Sequence, residues 1–141
     1  MNAKAEQFQA YLDEKEIKAF THEEVEGDQF GAEVFRSTID IGGNRLPTIV
    51  ILDNTVYGMI RVLVAPNSVH DGNENVLLKL VNDYSKKFKA FKYYVDDQGS
   101  LVLDLCVLGV EADGNMIYAM FDVIINHLNE SYKDIMKAIW G

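Results

Sequence analysis

The stretch FKYYVDDQGSLVLDLCVL, residues 91–108, decides the fold of this chain. Two runs of alternating side chains flank DDQG, whose residues tolerate tight backbone geometry, so the stretch predicts a β-hairpin. The two runs place their apolar side chains on one face of a sheet: Phe91, Tyr93 and Val95 from the first run, and Leu101, Leu103, Leu105 and Val107 from the second.

Three further strands are predicted upstream of this hairpin. Side chains alternate over residues 34–41, as in a half-buried strand, and LPTIVILD (46–53) and VYGMIRVLVA (56–65) are rich in β-branched residues. The double glycine of IDIGGNRLP (39–47) stands between two strands, whereas a phosphate-binding glycine loop leads from a strand into a helix. The pattern therefore favours a turn over a phosphate site.

Helical periodicity occurs in three segments: residues 3 to about 18, 76–88, and a long stretch ending near 139 that Asp113 or Asn115 caps. The acidic segment THEEVEGDQFGAEVF (21–35) indicates a loop or an irregular edge strand. Short links between strands imply antiparallel neighbours. We predict a single α+β domain over residues 1–141, a five-stranded antiparallel sheet with three helices on one face in the order α-β-β-β-α-β-β-α.

Charge and composition exclude several classes of partner. The chain has 141 residues, 22 acidic against 13 basic side chains and a formal charge of −9, which repels nucleic-acid backbones and anionic membranes. We therefore expect no nucleic acid and no membrane among its partners. The N-terminal segment lacks a signal-peptide pattern and the chain has a single cysteine, so a cytoplasmic location is predicted.

A second apolar surface is expected on the other face of the sheet. Apolar side chains alternate there with the core positions and are mixed with arginines and aspartates, a composition that suits a covered interface. The third helix is also apolar around most of its circumference. The residues predicted to bind a partner are Arg36, Tyr57, Met59, Arg61, Tyr94, Val102, Met116 and Met120. The alternative is that these apolar residues are dispersed singly or belong to the core, and that Arg61 pairs internally with Asp40 or Asp104.

Residues with catalytic or metal-binding chemistry are sparse. His127 and Glu130 could present two ligands on one helix face, but without a partner motif an edge-of-core histidine is the favoured reading. Cys106 shares a strand face with Asp104, whose charge disfavours a thiolate, so Cys106 is expected to be a small buried hydrophobic residue. We predict no catalytic residues, no metal site and no cofactor.

Three segments together carry a family resemblance. VFRSTIDIGG (34–43), VLLKLVNDYSKKFKAFKYYVDDQGSLVLDLCV (76–107) and the closing amphipathic helix resemble the YbjN-type bacterial proteins, described as sensory-transduction regulators. The resemblance implies the fold of type III secretion chaperones, a curved antiparallel sheet with helices, often dimeric, that binds polypeptide segments. It offers no catalytic motif.

These observations give two expectations for function. The first is a non-enzymatic regulatory or chaperone-like domain that binds another protein or peptide segment and acts as a homodimer. The second is a small-molecule sensor with a ligand cleft between helices and sheet. A ligand-dependent rise in melting temperature would favour the second.

Overall fold

A computed structural model describes residues 1–109 and 113–141 of the chain. Its elements, in chain order, are α1 (Ala3–Glu14), β1 (Thr21–Glu24), β2 (Glu33–Ile41), β3 (Asn44–Leu52), β4 (Tyr57–Ala65), α2 (Glu74–Lys87), β5 (Phe91–Val95), β6 (Leu101–Leu108) and α3 (Gly114–Trp140). Three helices and an antiparallel sheet confirm the predicted α+β class.

The sheet has six strands in the order β1-β2-β3-β4-β6-β5, and each neighbouring pair is antiparallel. The prediction of five strands was therefore wrong. The additional strand is β1, in which Thr21 pairs with Arg36 at the edge of the sheet. All four residues of β1 are exposed, so the strand has no buried face and its sequence shows no apolar alternation.

The glycine pair joins β2 to β3 by a two-residue turn. Gly42 and Gly43 have φ angles of +56° and +83°, and Ile41 pairs with Asn44 on either side of them. Two consecutive residues with positive φ are the requirement of the type I′ turn, whose twist matches that of the flanking strands. The predicted turn is confirmed.

The hydrophobic core lies between one face of the sheet and the three helices. Val50, Ile60 and Leu103 contribute from the central strands, and Phe8 and Ile124 contribute from α1 and α3. These residues are almost completely buried. The alternation of β-strand side chains then directs every second residue of the same strands to the opposite face.

Helix α1 ends at Glu14, earlier than its apolar pattern predicts. Glu16 adopts a left-handed conformation with φ of +54°, and the N–H of Ile17 donates to the carbonyl of Leu12. The N–H of Glu16 donates to the carbonyl of Asp13, which completes a Schellman motif. Ile17 continues the apolar pattern because it packs on the core after the helix has ended.

Candidate functional site

One face of the sheet is left uncovered by the helices of the described residues. Its side chains alternate with the core positions of the same strands. We call this surface the open face, and its members are Thr21 and Glu23 of β1, Val34, Arg36, Thr38 and Asp40 of β2, Arg45, Pro47, Ile49 and Ile51 of β3, Tyr57, Met59, Arg61 and Leu63 of β4, Val102, Asp104, Cys106 and Leu108 of β6, and Lys92 and Tyr94 of β5.

Apolar side chains on the open face line up across the strands. The register places Val34 opposite Ile51, Ile51 opposite Met59, and Met59 opposite Cys106. This apolar row, Val34–Ile51–Met59–Cys106, crosses four strands. Val34 is buried although it does not belong to the core, so the open face also packs side chains against one another. The apolar residues are thus contiguous and not dispersed singly.

A buried ion pair lies beside the apolar row. Nε of Arg61 donates to Oδ1 of Asp104 at 2.8 Å, and Nη2 donates to Oδ2 at 3.1 Å. The side chain of Asp104 is 2% exposed, whereas that of Arg61 is 38% exposed. The hydrogen bonds from Arg61 to Asp104 raise the pKa of the guanidinium above its ordinary value, so Arg61 stays charged. Of the two internal partners considered for Arg61, the structure selects Asp104.

A shallow depression adjoins both the apolar row and Arg61. It has a volume of about 260 Å³ and is lined by Ile51, Asp53, Tyr57, Gly58, Met59 and Arg61. Beside it, Tyr57 faces Leu108 across β4 and β6, and these two side chains are the most prominent apolar groups of the face, 58% and 65% exposed. The open face therefore carries both a recess and projecting apolar groups.

Six of the eight residues predicted to bind a partner lie on this one surface: Arg36, Tyr57, Met59, Arg61, Tyr94 and Val102. The other two do not. Met116 and Met120 belong to α3, which packs with the helices on the opposite side of the sheet. The structure thus brings together the strand residues and separates them from the two methionines.

Cys106 is exposed on the open face, and the expectation that it is a small buried residue was wrong. The strand alternation places it opposite Met59, on the face that the helices do not cover. Its neighbours in β6, Leu105 and Val107, point to the core and are buried. Cysteine is usually buried, but here the residue's position in the alternation decides its exposure.

His127 is a core histidine and lies apart from the open face. The residue is buried, its ring lies 4.4 Å from the rings of both Phe88 and Phe91, and its Nε2 forms a hydrogen bond with the hydroxyl of Tyr93. Glu130, its proposed partner in a ligand pair, is exposed. Within residues 1–109 and 113–141, no three His, Cys, Asp or Glu side chains lie close enough together to hold a metal ion.

Lys4 is a buried lysine, and the sequence pattern did not predict its burial. It is 1% exposed, and its Nζ donates to the carbonyls of Thr55 and Tyr57 at 2.8 and 2.6 Å. Burial lowers the pKa of Lys4, while Asp53 acts in the opposite direction. A lysine in the polar first turn of a helix is expected to be exposed to solvent. Its burial could not be predicted, because the carbonyls that it contacts belong to a part of the chain that is distant in sequence.

No family model matches this chain, and no curated protein matches it. Neither the 27-residue α3 nor the shorter helices of the described ranges combine the length and apolarity of a membrane span. The open face is therefore the candidate functional site. It combines a contiguous apolar row, a recess, two projecting apolar side chains and an ion pair between Arg61 and Asp104.

Proposed function

We propose that this chain is a non-enzymatic regulatory or chaperone-like protein-binding domain that pairs with a second copy of itself through the open face. The observation that carries the proposal is the row Val34–Ile51–Met59–Cys106, which the helices of the described residues leave uncovered. Contiguous apolar surface of this kind is uncommon on monomers and typical of interfaces.

The shape of the open face favours a second copy as the occupant. A two-fold axis brings the same patch of both subunits together, so projections on one copy must meet recesses on the other. The open face supplies both, since Tyr57 and Leu108 project next to the depression between Ile51 and Met59. An aromatic and an aliphatic side chain of one copy can therefore fill the recess of the other.

Charge also favours self-pairing through this surface. The open face has four basic side chains, Arg36, Arg45, Arg61 and Lys92. It has three acidic ones, Glu23, Asp40 and Asp104, and Asp53 of the recess adds a fourth, whereas the whole chain has a formal charge of −9. Two copies repel each other where their acidic surfaces meet. The repulsion is weakest where the contacting faces carry balanced charges. The ion pair within each copy adds no unpaired charge to the interface.

The resemblance to YbjN-type proteins and to type III secretion chaperones agrees with a dimer that binds polypeptide segments. Both the family assignment and a cytoplasmic location in a bacterium stay predictions. In this proposal, a partner peptide would contact surface that the dimer leaves free.

The test is the solution mass, measured by sedimentation equilibrium across a dilution series for the wild type and two variants. Met59→Asp introduces a charge into the centre of the apolar row, and we expect it to be monomeric. Val76→Asp introduces the same charge at an exposed apolar position of α2 and serves as the matched control. We expect the control to form the same dimer as the wild type.

Circular dichroism of each variant verifies that the fold is retained. A wild type that remains monomeric at every concentration would overturn the proposal. A dimer that Met59→Asp leaves intact and Val76→Asp weakens would show that the interface is on the helices.

A further inference from the structure

Strands β3 and β4 separate at one end of the sheet. Their pairing extends from Leu52 opposite Gly58 to Thr48 opposite Val62, although β3 begins four residues before Thr48 and β4 continues to Ala65. A groove of about 480 Å³ lies at this separation, bounded by residues 44–47, residues 63–66 and the last turns of α3. This volume is typical of a site for a small molecule.

Pro47 explains why the ladder opens. Because Ile41 and Asn44 close a two-residue turn, the alternation of an antiparallel ladder directs the peptide groups of Asn44, Leu46 and Thr48 toward β2. The peptide groups of Arg45 and Pro47 are then directed toward β4. Proline has no N–H to donate there, so the sequence itself ends the ladder and leaves the backbone of Arg45 facing the groove.

One wall of the groove is an aromatic and aliphatic ridge of α3. Tyr132, Met136 and Trp140 follow one another at four-residue spacing and line it together. The indole of Trp140 stacks on the ring of His70, with 5.1 Å between centroids and an angle of 21°. The ring of His70 is fixed in turn by a hydrogen bond, in which its Nε2–H donates to the carbonyl of Ile139 at 2.8 Å. Trp140 is thus fixed in position while remaining 64% exposed.

The groove has one charged side chain, that of Arg45, among the described residues that line it. Asp40 lies 3.8 Å from Nε of Arg45, and both side chains are 77% exposed, so this pair is weak and open to competition by another anion. Helix α3 ends at Trp140, so the negative end of its dipole lies at the wall of the groove that α3 forms.

We propose that this groove binds a small carboxylate with an aromatic or branched aliphatic body. The carboxylate pairs with the guanidinium of Arg45, away from the end of α3, and the body lies between Pro47 and Trp140. The proposal goes beyond pairing through the open face and does not depend on it. Arg45 and Pro47 belong to the open face, but they lie at the start of β3, whereas the apolar row crosses that strand at Ile51, near its other end. It also gives a location to the ligand cleft between helices and sheet that the sequence led us to consider.

The test compares two probes with the same phenylethyl body and opposite charge, hydrocinnamate and phenethylamine, in NMR titrations of the isotope-labelled chain. Trp140 is the single tryptophan of the chain, so its indole resonance is identified without assignment. We expect hydrocinnamate to shift this resonance and the amide of Arg45 with saturation. Phenethylamine should bind at least about tenfold more weakly, because it lacks the charge-assisted hydrogen bond.

Two variants locate the charge that recognises the probe. Arg45→Gln should weaken hydrocinnamate binding by about tenfold and leave phenethylamine binding nearly unchanged. Lys18→Gln removes a positive charge at an exposed position outside both the groove and the open face, and it should leave both affinities unchanged. Resonances remote from the groove verify that each variant is folded.

Equal affinities for the two probes, an Arg45→Gln variant that binds hydrocinnamate as the wild type does, or the absence of a saturable shift at Trp140 would each overturn the proposal. Shifts at Tyr57 and Met59 in place of Trp140 would assign the probe to the open face and would equally overturn it. Repeating the titration with Met59→Asp separates the two proposals, because the groove should bind the probe whether or not the chain pairs.

Discussion

The hydroxyl of Tyr93 lies 2.6 Å from Nε2 of His127, so a hydrogen bond joins β5 to α3 inside an otherwise aromatic cluster. Burial lowers the pKa of His127 below its ordinary value of 6.5, and the charge of Lys87 adds to this effect, whereas Glu130 opposes it. The histidine is therefore neutral when the chain is folded near neutral pH.

We expect His127 to make the fold sensitive to acid. Below about pH 6.5 the unfolded chain binds a proton at this histidine and the folded chain does not, so the free energy of unfolding falls as the pH falls. Urea denaturation of the wild type and of His127→Gln at about pH 8 and about pH 5 measures this contribution. Equal losses in the two proteins would contradict it, since His22 and His70 are present in both.

Removing Arg61 should destabilise the fold through the carboxylate that it leaves behind. Arg61→Met keeps an apolar stem but leaves the buried Asp104 without its partner, and we expect a loss of about 1–2 kcal/mol in the free energy of unfolding. The double variant Arg61→Met/Asp104→Leu should recover most of this loss, because both charges are then absent. Denaturant titration of the single and double variants measures both free energies of unfolding. A double variant that is less stable than the single one would contradict the claim that the unpaired carboxylate causes the loss.

Lys4 is expected to stabilise the turn between β3 and β4. Lys4→Met retains most of the side-chain volume and removes the donor to the carbonyls of Thr55 and Tyr57. The expected cost is about 1–2 kcal/mol of unfolding free energy. Lys15→Met, at an exposed position just beyond α1, is the matched control and should change the stability little. Similar midpoints for both variants in urea would rule out this role of Lys4.

Substitutions of Gly43, in the turn between β2 and β3, should destabilise the fold to different extents. Nothing lies within 4 Å of a Cβ added there, so the cost of Gly43→Ala comes from its φ of +83° alone. We expect a loss of about 1 kcal/mol for alanine. Asparagine tolerates this backbone region better, so Gly43→Asn should lose less. Thermal unfolding of both variants provides the comparison, and the opposite ranking would contradict the strain argument.

Cys106 offers a chemical probe of the proposed pairing. Its thiol is exposed in the single chain and belongs to the apolar row, so a dimer formed through the open face would cover it. We expect the wild-type thiol to react with an aromatic disulfide reagent faster in dilute solution, where the chains are separate, than at concentrations at which they pair. A reaction rate that does not change with protein concentration would place Cys106 outside any interface.

Local alternation in the sequence was sufficient to predict which strand residues share a face. Tyr57, Met59 and Val102 were assigned to one surface from their positions within strands, because a strand places successive residues on opposite faces whatever its neighbours are. The cap of the third helix was also predicted from local sequence, with Asp113 or Asn115 as candidates, and Asp113 accepts a hydrogen bond from the N–H of Met116.

Features that depend on strand order could not be predicted in this way. Asp40 and Asp104 have the same alternation relative to their strands, yet Arg61 pairs with Asp104 because β4 is next to β6, while β3 separates it from the strand of Asp40. Strand β1 was left open for another reason: residues 21–35 were assigned to a loop or an irregular edge strand, because a wholly exposed edge strand lacks the periodicity that would decide between them. The groove at Trp140 could not be predicted because its walls come from β3, β4 and α3, which only the folded chain brings together.

The order of the strands also bears on how the chain folds. Strands β1 to β4 are neighbours in the sheet in the same order as in the chain, so each pairing closes a short loop at low entropic cost. Helix α1 has its main partner at the far end of the sequence, where Gly114 approaches Tyr11 so closely that a side chain at position 114 would collide with it. We expect the meander to be protected early and α1 to acquire protection last, an order that pulse-labelling hydrogen exchange during refolding would record.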